Sequence, residues 1–176
     1  MRKVYSRKLP ALDLSALRVF IVDDNKFAVQ ILMRLMKAMR ITDTFGCVDP
    51  RQALAEIGLT KPDIVIIDLE MPGLPGLELV RGIRCGQAGI PEDTAILVAT
   101  AYADHDHVVK ARNAGANWVL VKPLSFRNLY DGLVRVTLDD RPLIRSEGYT
   151  GPCRRSRATP PEQLMARRRS DDPGPR

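Results

Sequence analysis

The 176-residue chain has little that could staple or anchor a fold from outside its core. Its three cysteines, Cys47, Cys85 and Cys153, are widely spaced, form no CxxC pair and are odd in number, so no closed disulfide framework is expected. Two read as small apolar fillers and the third as an exposed thiol in a tail. There are only two histidines, His105 and His107. Residues two apart on a helix point in different directions, which favours solvated surface over a metal pair. No apolar run approaches the roughly 18 residues that span a bilayer. Met1 to Pro10 is basic, but Asp13 and Arg18 break the apolar stretch that a signal peptide would need next, so none is expected. The expectation is a cytoplasmic protein with no membrane association. The apolar share, 45% of residues, is ordinary for a soluble globular chain and allows a core.

The net charge of +6 conceals an uneven distribution. Residues 1–17 hold four bases and one acid, and residues 141–176 hold nine arginines and four acids. Residues 18–140 hold fourteen bases and sixteen acids, which is slightly acidic. The basic character sits at the ends of the chain, and the middle lacks the charge of a nucleic-acid-binding domain.

Five short apolar runs, bounded by polar or turn residues, read as strands: Arg18–Val22, Thr44–Val48, Asp63–Ile67, Ala95–Ala99 and Trp118–Val121. The third and fourth alternate little, which marks strands buried on both faces of a parallel sheet. Helices are expected between them. Asn25–Arg40 carries Phe27, Ile31, Leu35 and Met39 at a spacing of four. Pro50 opens a short helix ending near Gly58, and Leu77–Cys85, Asp106–Ala114 and Phe126–Leu138 complete the set. Asp104 and Ser125 are the expected caps. Strand and helix alternate five times, which predicts an α/β fold: a doubly wound, five-stranded parallel sheet with helices on both faces. The organisation is a basic extension over 1–15, one domain over 16–138, and an Arg/Pro-rich tail over 139–176. Six prolines and clustered arginines predict that the tail is disordered and contacts an acidic protein surface rather than nucleic acid.

In an open sheet of this kind the working site lies beyond the carboxyl ends of the strands. Asp23 and Asp24 come after the first strand, Asp68 after the third, Thr100 after the fourth, and Lys122 with Pro123 after the fifth. Taken singly, each is an ordinary cap, turn or loop residue. Together they place three carboxylates, one hydroxyl and one ammonium on one rim. Three acids repel unless a cation lies among them, and a hard, oxygen-seeking ion such as Mg²⁺ suits them.

The segments VFIVDDN (19–25), DIVIIDLEMPGLPGLEL (63–79), ILVATAYAD (96–104) and GANWVLVKPLSFRNL (115–129) resemble the receiver domains of bacterial two-component response regulators, the stand-alone chemotaxis type in particular. The resemblance covers residues 16–138 and implies strand order 2-1-3-4-5 with a cis peptide before Pro123. It implies that Asp68 accepts a phosphoryl group from a phosphohistidine on a sensor histidine kinase or histidine phosphotransfer protein. It makes Asp24 a direct Mg²⁺ ligand, Asp23 a ligand through water, and the Glu70 backbone carbonyl a further one beside Asp68. Thr100 and Lys122 are the partners of the phosphoryl oxygens. Such a protein catalyses only its own phosphorylation and dephosphorylation and signals to a downstream protein.

The chain departs from its relatives at one position. They carry Tyr or Phe three residues before the lysine, where this chain has Val119. Trp118, one residue away, faces the other side of the strand. Tyr102, close to Thr100, is the candidate substitute. Three other readings fit less well. A pseudo-receiver would have lost an acid or the lysine. A DNA-binding regulator needs about 60 further residues with a recognition helix, and the stretch after Asp140 is short and rich in proline. A phosphatase of similar topology needs a second aspartate where Glu70 stands.

Overall fold

The computed structural model describes residues 12–154. Its central elements run in the order β1 (Arg18–Val22), α1 (Lys26–Ala38), β2 (Asp43–Cys47), α2 (Pro50–Thr60), β3 (Ile64–Asp68), α3 (Gly76–Arg84), β4 (Ala95–Thr100), α4 (His105–Ala114), β5 (Trp118–Val121) and α5 (Phe126–Thr137). The five strands form one parallel sheet in the order β2-β1-β3-β4-β5. Both the fold class and the order are those expected.

The layers arise from side chains that alternate across each strand. Val19, Ile21, Ile64, Ile66, Leu97 and Leu120 pack with Leu32 and Met36 of α1 and with Leu129 and Leu133 of α5. Phe20, Val22, Val65, Ile67, Ile96 and Val98 pack on the other face with residues of α2, α3 and α4, among them Ile57, Leu79, Ile83 and Ala111. Every residue of β3 is buried, as suits a central strand covered on both faces. Each apolar side chain taken fully out of water contributes roughly 1.5–3 kcal/mol, so these two layers dominate the stability. Helix starts are fixed by side-chain oxygens. Asn25, Asp49, Asp104 and Ser125 each accept a backbone N–H from the first turn of the helix they precede. Among the described residues no helix is long and apolar enough to cross a membrane.

Five details differ from the expectations drawn from sequence. Of the α1 residues singled out at a spacing of four, Phe27 is 75% exposed and Ile31 56%. The buried stripe is Val29, Leu32 and Met36, because a strict spacing of four drifts around a helix with 3.6 residues per turn. Second, α2 continues past Gly58 to Thr60, and Lys61 takes the left-handed cap at φ 47°. Gly58 is instead where the carbonyl of Ala88, in a short 3-10 turn (Gln87–Gly89), comes too close to admit a Cβ. Third, the basic extension is not wholly separate from the domain. Leu14 is buried, and the Leu12 N–H donates to the Tyr130 hydroxyl at 2.7 Å. Fourth, only Cys47 is a buried filler; Cys85 is exposed, and Cys153 is half-buried.

The fifth difference is the largest. In place of a tail from residue 139, β6 (Leu143–Ser146) and β7 (Tyr149–Pro152) form an antiparallel hairpin. Gly148, at φ 76°, takes the turn position that other residues resist. Pro142 and Pro152 lie at the hairpin's ends, where a missing N–H does no harm; the Pro142 carbonyl accepts Cys153 N–H at 2.9 Å. The hairpin lies against α3 and α4 through a backbone contact. A Cβ on Gly151 would stand 2.8 Å from the Gly115 Cα, and one on Gly115 would meet the Thr150 carbonyl at 2.5 Å. Residues 1–11 and 155–176, which carry the rest of the expected extension and tail, lie outside the described residues.

Candidate functional site

Because all five strands run the same way, the residues after β1, β3, β4 and β5 meet on one rim. The register sets Val22 beside Ile67 and Asp68 beside Ala99, so Asp23 and Asp68 become neighbours. Both are buried, while Asp24 is exposed. Carboxylate oxygens of Asp23, Asp24 and Asp68 all lie within 4.8 Å of one another.

Lys122 reaches over them from the end of β5. Its Nζ stands 2.7 Å from Asp68 Oδ2 and 3.1 Å from Asp23 Oδ2. The remaining oxygens face backbone donors: Asn25 N–H donates to Asp23 Oδ1 at 2.9 Å, and Glu70 N–H to Asp68 Oδ1 at 3.3 Å. Burial, the largest influence on Lys122, pulls its pKa down. The hydrogen bonds and charges of Asp68 and Asp23 together outweigh it and leave the value raised. The Lys122–Pro123 bond is cis, as the resemblance implied.

One ammonium cannot neutralise three carboxylates. The cluster is two positive charges short, and its donors are hard oxygens, one of them open to solvent. That chemistry fits a divalent ion that keeps part of its water shell.

Thr100, at the end of β4, is fully buried. Its Oγ1 donates to Glu70 Oε1 at 2.6 Å, and the Ala101 N–H donates to Glu70 Oε2 at 3.1 Å. Sequence reasoning values Glu70 only for its carbonyl and misses this side-chain bridge, since nothing in spacing shows where a flexible glutamate reaches. Tyr102 is half exposed and stacks on His107 with ring centroids 4.7 Å apart. His107 Nδ1 lies 2.7 Å from the capping carboxylate of Asp104. His107 is therefore tied to its neighbours rather than merely solvated. The His107 N–H is the main cause that lowers the Asp104 pKa. Val119 packs toward the α4 layer, whereas Trp118 lies on the opposite side of β5, with the Arg135 guanidinium 4.7 Å from its ring centroid.

The model of the response regulator receiver domain matches residues 19–133. The chain belongs to that family. The chemotaxis protein CheY of Pseudomonas aeruginosa is 28% identical over 120 residues, which cover 68% of this chain and 95% of that protein. Sporulation initiation phosphotransferase F of Bacillus subtilis is 26% identical over 116 residues, 66% of this chain and 90% of that protein. Among solved structures, Vibrio cholerae chemotaxis protein CheY4 superimposes with a TM-score of 0.63 at 28% identity, covering 68% of this chain and 98% of that one. The receiver domain thus resembles chemotaxis regulators over nearly their whole length. The β6–β7 hairpin lies beyond the matched residues.

Proposed function

We propose that this receiver domain accepts a phosphoryl group on Asp68 from the phosphohistidine of a sensor histidine kinase or histidine phosphotransfer protein, in a Mg²⁺-dependent reaction, and signals by contact with a downstream protein in the cytoplasm. The observation that carries this reading is the setting of Asp68. It is a buried carboxylate with one oxygen on Lys122 and the other on a backbone N–H, inside a cluster that lacks positive charge.

Asp23 and Asp24, Asp68 itself and the Glu70 carbonyl would hold the ion. When bound, Mg²⁺ supplies positive charge that phosphoryl oxygens need in a loose transition state. The rest falls to the chain's own residues. Asp68 is already an anion and needs no general base. One of its oxygens forms the new P–O bond as the donor's P–N bond breaks. The imidazole leaves with the electron pair and regains a proton from solvent. Lys122, already at hydrogen-bond distance, exchanges a carboxylate oxygen for a phosphoryl oxygen, and Thr100 donates its hydroxyl to another. Ala101 is small and leaves the approach open. The protein's catalysis extends to its own phosphorylation and dephosphorylation and no further. With Val119 in place of an aromatic ring, the response travels through the loop over residues 101–106.

Intact-mass measurement after incubation with acetyl phosphate tests the reading. One phosphoryl adduct is expected with Mg²⁺, little without it, and none in Asp68→Asn. An adduct that persists in Asp68→Asn would remove Asp68 from the role.

A further inference from the structure

The Glu70 side chain makes a contact that the phosphorylation chemistry does not use. Both of its carboxylate oxygens are engaged, Oε1 by the Thr100 hydroxyl at 2.6 Å and Oε2 by the Ala101 N–H at 3.1 Å. Thr100 is fully buried, so its hydroxyl is held at a fixed place, and its Oγ1 also accepts the Tyr102 N–H at 3.0 Å. Two donors gripping one carboxylate form a small anion-binding pair. It lies at the end of β4, the strand that pairs with β3, and Glu70 stands two residues beyond Asp68.

A threonine hydroxyl has a single O–H, and a backbone amide a single N–H. Whatever anion holds this pair excludes another. A phosphoryl group on Asp68 brings roughly −1.5 to −2 charges and three strong acceptor oxygens to the same rim. It competes with Glu70 for both donors and repels the carboxylate as well.

We propose that Glu70 is an internal competitor of the phosphoryl group: its carboxylate occupies the Thr100–Ala101 donor pair at rest and is displaced when Asp68 is phosphorylated. The proposal rests on the reading of Asp68 as phospho-acceptor and assigns Glu70 a positioning role. Its resting grip holds Thr100 and the start of the β4–α4 loop in one arrangement. Displacement hands both to the phosphoryl oxygens and frees a charged side chain at the mouth of the site. By linkage, a ligand that must evict Glu70 binds more weakly than it would to the empty pair.

Beryllium fluoride with Mg²⁺, a phosphoryl mimic, serves as the probe, and amide NMR as the readout, for the wild type, Glu70→Ala and Glu70→Gln. Without the mimic, the Ala101 amide resonance is expected to move in Glu70→Ala, because its acceptor is gone. With the mimic, the wild type and Glu70→Ala converge on one Ala101 position. Glu70→Ala should bind the mimic about tenfold more tightly, the size of one charge-assisted hydrogen bond exchange. Glu70→Gln keeps one neutral acceptor and should fall between the two. An unmoved Ala101 amide in the free Glu70→Ala protein overturns the proposal, and so does equal affinity in all three proteins. Glu70→Gln matching Glu70→Ala also overturns it, because charge alone would then explain the effect. If no form binds the mimic, the assignment of Asp68 fails and this proposal with it.

Discussion

The two rims of the sheet are built from the same kinds of group and reach opposite outcomes. At the amino ends of β4 and β5, Arg84 is buried to 2% exposure. Its Nε donates to the Gly115 carbonyl at 2.9 Å, its Nη1 to the carbonyls of Glu92 and Thr94 at 2.6 and 2.7 Å, and its Nη2 to Asn117 Oδ1 at 2.7 Å. Asn117 in turn donates to Asp139, which Arg141 holds at 2.6 Å. Burial pulls the Arg84 pKa down to about 10, still well above neutral pH, so the group stays charged there. At the carboxyl ends, three acids share one ammonium. On the first rim each of these Arg84 nitrogens finds an acceptor within the chain, and the group serves the fold. The second is left unbalanced, with a deficit of positive charge that a divalent cation can fill. Buried charge alone does not mark a site; buried charge without enough partners does.

The comparison can be broken most forcefully at Arg84. Arg84→Ala strips the donors from three carbonyls and from Asn117, and should cost about 3 kcal/mol or more by urea denaturation. Below the lowered unfolding midpoint, phosphorylation of Asp68 should persist. A cost under about 1 kcal/mol would mean that the amino rim holds nothing together.

On the opposite rim, Lys122→Met should slow adduct formation by about a hundredfold at saturating Mg²⁺. Its effect on stability should depend on pH. The folded-state pKa of Lys122 is raised, so the stability it contributes is fully present below the unfolded lysine value of 10.5 and is lost as pH climbs through the folded value. Wild-type urea midpoints should therefore fall more steeply than those of Lys122→Met as pH rises above about 10.5. Parallel curves would sever the link between Lys122 and its two acids.

The smallest effect belongs to the edge of the amino rim. Arg145 of β6 lies 2.6 Å from Glu92 Oε2, an ion pair without hydrogen-bond alignment, and the Arg145 side chain is 70% exposed. Arg145→Ala should change stability by no more than about 1 kcal/mol, and less in high salt. A larger loss would show that the hairpin is held by charge rather than by its backbone contact with Gly115.

The sheet and the meeting of Asp23, Asp68 and Lys122 are legible because buried parallel strands write themselves as Val- and Ile-rich runs, whereas the strand order comes only with the resemblance to receiver domains. Whatever ends those runs must then share a rim. The exposed face of α1 misleads because a spacing of four tracks the helix only over short distances. The hairpin escapes because its burial is made by Gly115, Gly151 and carbonyls, which carry no apolar signature. The Ser146–Tyr149 turn with Gly148 is the available hint, masked by the prolines on either side. The Glu70 bridge cannot be read at all: a carboxylate that returns to a strand thirty residues away leaves no trace in spacing.

The hairpin also changes where the polypeptide departs. Helix α5 packs on the β1–β3 face shared with α1, and a chain ending there would leave from that side. Instead, residues 139–154 cross beneath the sheet to the opposite face. There Arg154 donates to Asn113 of α4 at 2.7 Å and lies over the Tyr149 ring. The described chain has thus been carried from one face of the sheet to the other, and its last described residue, Arg154, lies beside the final turn of α4.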